Sequence, residues 1–151
     1  MLKQQIESEI KEAMKAGNRE ILETLRFLMA SIKNYEIETQ REATDEDVIT
    51  MVQRQVKQHK ESVEAFVKAG RTELAEKEKR ELEILQKFLP AQMSEEEVKA
   101  VTVETISSLA EADRKNFGKV MGAVMARVKG RAEGNMVGRV VKELLNKQIT
   151  Q

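Results

Sequence analysis

The sequence predicts an all-α fold, an N-terminal four-helix domain followed by a C-terminal three-helix bundle. Three observations carry that expectation. Apolar residues recur at helical spacing in seven separate runs, and no stretch alternates like a strand for more than a few residues. The composition is that of a helix former, with 34% charged residues, 3% aromatics and a single proline. A chain of 151 residues suits one or two small domains with real cores.

The first run is Leu2, Ile6, Ile10, Ala13 and Met14, stopped by Gly17-Asn18. The second is Ile21, Leu22, Leu25, Leu28, Met29, Ile32 and Tyr35, and so short a turn between the two predicts antiparallel packing. After a polar segment, Thr44-Asp45-Glu46-Asp47 reads as an N-cap with acids in the first helical turn. Val48, Met51, Val52, Val56, Val63, Phe66 and Val67 then mark a long third helix, closed by Gly70. The fourth run starts near Thr72 and shows Leu74, Leu82, Leu85 and Leu89. Its apolar stripe is thin between Leu74 and Leu82, so this part of the helix is expected to be solvated on most sides. Pro90 is expected to end it.

Ser94-Glu95-Glu96-Glu97 matches a capping box, with Met93 and Val98 placed as its hydrophobic staple. A proline followed by so strong a helix start sets the expected boundary, giving domains over 1–92 and 93–151. Helix five uses Val98, Val101, Thr105, Ile106 and Leu109. Helix six uses Phe117, Val120, Met121, Val124, Met125 and Val128, and helix seven Met136, Val137, Val140, Val141, Leu144 and Leu145.

The formal net charge of zero hides an asymmetry. Residues 113–151 hold 9 Lys/Arg against 3 Asp/Glu, while residues 1–112 hold 17 against 23. A basic tail points to an anionic partner, although charged helix surfaces are ordinary. The absence of cysteine excludes disulfides, a thiolate nucleophile and a Cys-type zinc site. The first helix is amphipathic and carries acidic residues where a signal peptide is apolar, and no run reaches the length of a membrane span. The expectation is a cytoplasmic chain with no membrane partner.

No motif supplies catalysis. His59 is the only histidine. With no second ligand at His-x-x-x-His or Glu-x-x-His spacing, it is expected on a polar helix face and outside any metal site. Glu76, Glu78, Glu81 and Glu83 interleave with Lys77, Lys79 and Arg80 as on a solvated helix. The eight methionines fall mostly on apolar stripes and read as core filler. No cofactor is expected.

Six residues remain as candidates for RNA contact. Gly118 and Gly122 lie four apart on helix six, with Lys119 between them and Ala126 continuing the row. Small residues in a row allow either tight packing inside the bundle or approach of a nucleic-acid backbone. Lys129, Gly130 and Arg131 form the turn to helix seven. Their positive charges either complement a helix dipole or contact phosphate. Phe117 is expected to be buried, which disfavours base stacking and favours recognition of a folded RNA's backbone.

The segment from Phe117 to Leu145, FGKVMGAVMARVKGRAEGNMVGRVVKELL, closely resembles the end of the YqeY-like proteins. These are similar to the C-terminal region of the GatB component of the aspartyl/glutamyl-tRNA amidotransferase, and together they make up the GatB/YqeY family. Leu25-Arg26, Lys57-Gln58, Ala69-Gly70-Arg71 and Phe88-Leu89-Pro90 extend the likeness over nearly the whole chain. Its most specific elements are Gly118-Lys119-Val120-Met121-Gly122 and Lys129-Gly130-Arg131-Ala132. Glu133 stands where the family often has aspartate, and Phe88 where it often has tyrosine. The resemblance implies a helical module that binds tRNA or associates with a tRNA amidotransferase or synthetase component. It also implies kinship with glutamine-dependent carbon–nitrogen ligases, without their catalytic machinery. The alternative is a protein-interaction module with no nucleic-acid contact.

Overall fold

The computed structural model describes residues 1–150, with side chains through Lys147. Its described residues form seven α-helices and a single 3₁₀ turn, with no strand. The chain divides into two compact units, Met1–Leu89 and Pro90–Gln151.

The first unit contains α1 (Leu2–Ala16), α2 (Arg19–Thr39), α3 (Asp45–Lys68) and α4 (Thr72–Gln86). Gly17, at φ 68°, adopts the left-handed conformation that stops α1. Asn18 then caps α2, its side chain accepting a hydrogen bond from the Ile21 N–H at 3.2 Å. Thr44 and Asp47 form a full capping box at the start of α3. The core gathers Ile6, Leu25, Leu28, Ile32, Val48, Val52 and Leu85, all fully buried. Each such aliphatic side chain contributes about 1.5–3 kcal/mol on leaving water.

Between Leu74 and Leu82, α4 is exposed at Glu76, Lys77, Lys79 and Arg80, as its thin apolar stripe predicts, but it keeps an inward face. Ala75 and Leu85 are buried on it, and Leu82 packs against the core. Between them the inward face carries Glu78 and Glu81, whose side chains are only 22% and 20% exposed. The gap in the apolar stripe is therefore filled by inward-facing carboxylates. Pro90 does not itself end α4, which stops at Gln86. Phe88 and Leu89 donate back to Leu85 and Gln86 in a tight turn, in keeping with the bar on helical geometry just before proline.

The second unit contains α5 (Glu95–Ser108), the 3₁₀ turn Glu111–Asp113, α6 (Phe117–Val128) and α7 (Gly134–Thr150). Ser94 accepts from the Glu97 N–H at 3.2 Å, which is one half of the expected box. Met93 packs against the core that holds Val98. Val98, Val120, Val124, Val128, Val137, Val140 and Val141 are fully buried, a core built mainly from one short, stiff side chain. Thr102 and Thr105 sit inside it because their hydroxyls donate to the Val98 and Val101 carbonyls. A Cβ on Gly138 of α7 would lie 3.7 Å from Met121 Cε of α6, which marks a close approach of these two helices.

Candidate nucleic-acid interface

α6 starts at Asn116, whose side chain accepts from the Lys119 N–H at 3.2 Å. From this cap the buried row Val120, Val124 and Val128 faces the core. The opposite row, Gly118, Gly122, Ala126 and Lys129, is exposed at every position, as the helical repeat requires. Gly118 and Gly122 therefore do not serve tight packing within the bundle. A Cβ built on Gly122 meets no atom within 4 Å, and one on Gly118 meets only Asn116 Oδ1, at 3.5 Å.

The six candidate residues fall in two places. Gly118, Lys119 and Gly122 lie in the first half of α6, while Lys129, Gly130 and Arg131 follow its last turn. At 1.5 Å rise per residue, Lys119 and Lys129 stand roughly 15 Å apart along the axis. Lys119 reaches Asp113 at 2.9 Å but keeps its side chain 61% exposed. Arg131 is exposed and donates from Nε to the Ala91 carbonyl at 3.2 Å.

Gly130 differs from its neighbours. It is buried, at φ 75°, and its carbonyl accepts from Gln92 Nε2 at 3.0 Å. The Arg131 carbonyl takes the Met93 N–H at 2.7 Å. The turn is thus held by the segment preceding α5, which fixes where the Lys129 and Arg131 side chains emerge.

Phe117 corrects its expectation. The residue is 46% exposed, because the first position of α6 lies beyond the packed valine row.

His59 also departs from its expected polar face. Its side chain is 18% exposed, with Nδ1 against Glu78 Oε2 and 3.6 Å from Glu81 Oε2. Burial, joined by the charge of Glu78, pushes the Glu81 carboxyl up from its ordinary value. Local ligand spacing does not reveal this group because His59 belongs to α3 and both glutamates to α4. The i,i+3 pair of glutamates in a gap of the apolar stripe is the signal that the sequence offers.

Residues 3–145 match the YqeY family, described as Yqey-like protein. The chain belongs to the YqeY-like family. Altered inheritance of mitochondria protein 41, mitochondrial, of Pyrenophora tritici-repentis is 31% identical over 120 residues, covering 78% of this chain and 65% of that protein. The protein of the same name in Kluyveromyces lactis is 34% identical over 124 residues, covering 76% and 66%. An uncharacterized protein of Schizosaccharomyces pombe is 30% identical over 89 residues, covering 59% and 72%. This YqeY-like chain thus spans just under two thirds of the length of these two mitochondrial relatives.

These relatives overturn the expected cytoplasmic address, since two of them are named as mitochondrial. Hydropathy separates membrane-spanning from water-soluble chains but does not distinguish one aqueous compartment from another. Among the described residues, no helix is long and apolar enough to cross a membrane.

Proposed function

We propose that the second unit of this YqeY-like protein, expected from the sequence as a tail domain over 93–151, is a tRNA-binding module associated with tRNA-dependent amidation. The observation that carries this reading is the open glycine row of α6, where a Cβ at Gly122 would meet nothing within 4 Å. Each glycine costs a helix about 1 kcal/mol against alanine, and no internal contact offsets that cost. Approach of an external backbone accounts for it. Lys119 at one end of the row and Lys129 and Arg131 at the other supply phosphate contacts along a track of roughly 15 Å. Exposed Phe117 adds an aromatic face on which a base can stack. The module binds and positions RNA. Amide transfer belongs to other chains, such as an amidotransferase or synthetase component.

The test is a titration of the full chain with tRNA at several salt concentrations, beside the Lys119→Glu/Lys129→Glu/Arg131→Glu variant. Loss of both affinity and salt slope in a variant that stays helical supports backbone reading through these residues. Equal binding by both proteins sinks the proposed surface.

A protein-interaction reading is favoured by one observation. Phe117 places an exposed apolar ring beside the glycine row, where a partner helix could also seat. Recovery of one defined protein after nuclease treatment, with no tRNA affinity in the purified chain, would select that reading.

A further inference from the structure

We infer that His59 Nδ1, Glu78 and Glu81, clustered between α3 and α4 beside a cavity that Gln55, His59 and Glu81 line, bind a divalent transition cation. The ligand atoms of His59, Glu78 and Glu81 all lie within 4.8 Å of one another. Two ligands bound tetrahedrally at about 2.1 Å from one zinc-sized ion stand roughly 3.4 Å apart. The 3.6 Å between His59 Nδ1 and Glu81 Oε2 is close to that edge, while the shorter contact of Nδ1 with Glu78 has to open to admit an ion.

Gln55 supplies an independent observation. It is 6% exposed, and its Oε1 is buried with no hydrogen-bond partner. The residue lines a cavity of about 280 Å³ together with Glu23, Thr24, Phe27, His59 and Glu81. Ser31 Oγ donates to the Phe27 carbonyl at 3.3 Å, so it has an acceptor left for Gln55 Nε2, at 3.0 Å. The amide nitrogen is thereby used, and the oxygen is the atom left without a donor. A buried carbonyl oxygen in that state carries a desolvation cost of about 1–3 kcal/mol, and a cation is one group that removes it. Gln55 and His59 are four apart on α3, hence on one face.

The donor set selects the ion class. One imidazole nitrogen with carboxylate and amide oxygens suits Zn²⁺, Co²⁺ or Mn²⁺ better than a thiolate-seeking ion. The imidazole disfavours Mg²⁺ and Ca²⁺, which take oxygen. Glu78 already touches Nδ1, so the cation enters in place of the proton between them, and that proton leaves to solvent.

His59 is the only histidine, so its ring resonance in a tag-free full chain needs no assignment. Zinc chloride alone should move that resonance and saturate at one ion per chain. Cobalt chloride alone should give visible ligand-field absorption. Glu81→Gln should weaken binding by at least about tenfold, while Glu76→Gln, on the solvated face of α4, should leave it unchanged. A ring signal unmoved by excess zinc overturns the site and leaves only a His59–Glu78 side-chain contact between α3 and α4. Equal affinity for Mg²⁺ overturns the ion class, and a Glu81→Gln variant binding as tightly as the parent overturns the ligand set. If that variant does not fold, the titration of the unsubstituted chain decides alone.

Discussion

Arg41 and Asp47 close the connection between α2 and α3, with guanidinium Nη1 2.7 Å from Oδ2 of the carboxylate. The same carboxylate accepts from the Thr44 N–H at 2.9 Å and from the Tyr35 hydroxyl at 3.0 Å. Asp47 therefore anchors the α3 cap and the end of α2 together. Replacing Thr44 by alanine removes its half of this cap and should lower stability by about 1 kcal/mol, as read from urea unfolding by circular dichroism.

A pH dependence follows from the same group. The Arg41 guanidinium, with the Thr44 N–H, holds the Asp47 carboxyl well below the usual carboxylate range. A depressed pKa contributes stability above the unfolded value, which is about 3.9 for aspartate, and loses it as pH falls toward the native value. The stability difference between the parent and Asp47→Asn should hold steady from about pH 5 to 7 and shrink below about pH 4. Urea midpoints over that range measure it, and a difference that grows in acid would contradict the assignment.

Gly122→Ala should stabilise the protein by about 0.5–1 kcal/mol, because the helix gains a better former and the new methyl meets nothing. Thermal melts check this. A lowered melting temperature would mean that the glycine row is packed after all.

Gly130→Ala should do the opposite. With φ at 75°, a Cβ there costs about 1–2 kcal/mol, and Gly130→Asn should cost less because asparagine tolerates the left-handed region. Comparing the two variants by denaturation separates backbone strain from mere loss of a glycine.

Leu28→Ala in the first unit should cost about 2–5 kcal/mol, since Leu28 is fully buried and alanine leaves a cavity. The measurement is the urea midpoint, and a change under about 1 kcal/mol would show that the site collapses around the smaller side chain.

The helices are legible in the sequence because their signals are local. Gly17-Asn18, Thr44 to Asp47 and Ser94 to Glu97 each set a helix end within a few residues, and valine spacing marks the second core. The capping box is a case in between: the pattern stands out at Ser94, but both halves form at Thr44 and Asp47. The face that a residue takes is a tertiary property and is harder to read. Apolar periodicity treats Glu78 and Glu81 as surface, yet His59 across on α3 gives them a reason to turn inward. Phe117 keeps the phase of a core residue but falls past the end of the packed row. The openness of Gly122 depends on what the neighbouring helices leave uncovered, and no spacing rule on α6 alone contains that.

The contact between Met121 and Gly138 has a chemical consequence. With eight methionines and no cysteine, every sulfur in the chain is a thioether, so oxidation at sulfur falls on methionine alone. Met121 presents its terminal methyl 3.7 Å from where a Cβ on Gly138 would stand. A sulfoxide there adds a polar oxygen beside the α7 backbone in a space shaped for a methyl. Peroxide damage to the second unit should therefore register as loosening of α6 from α7, and reduction of the sulfoxide should reverse it.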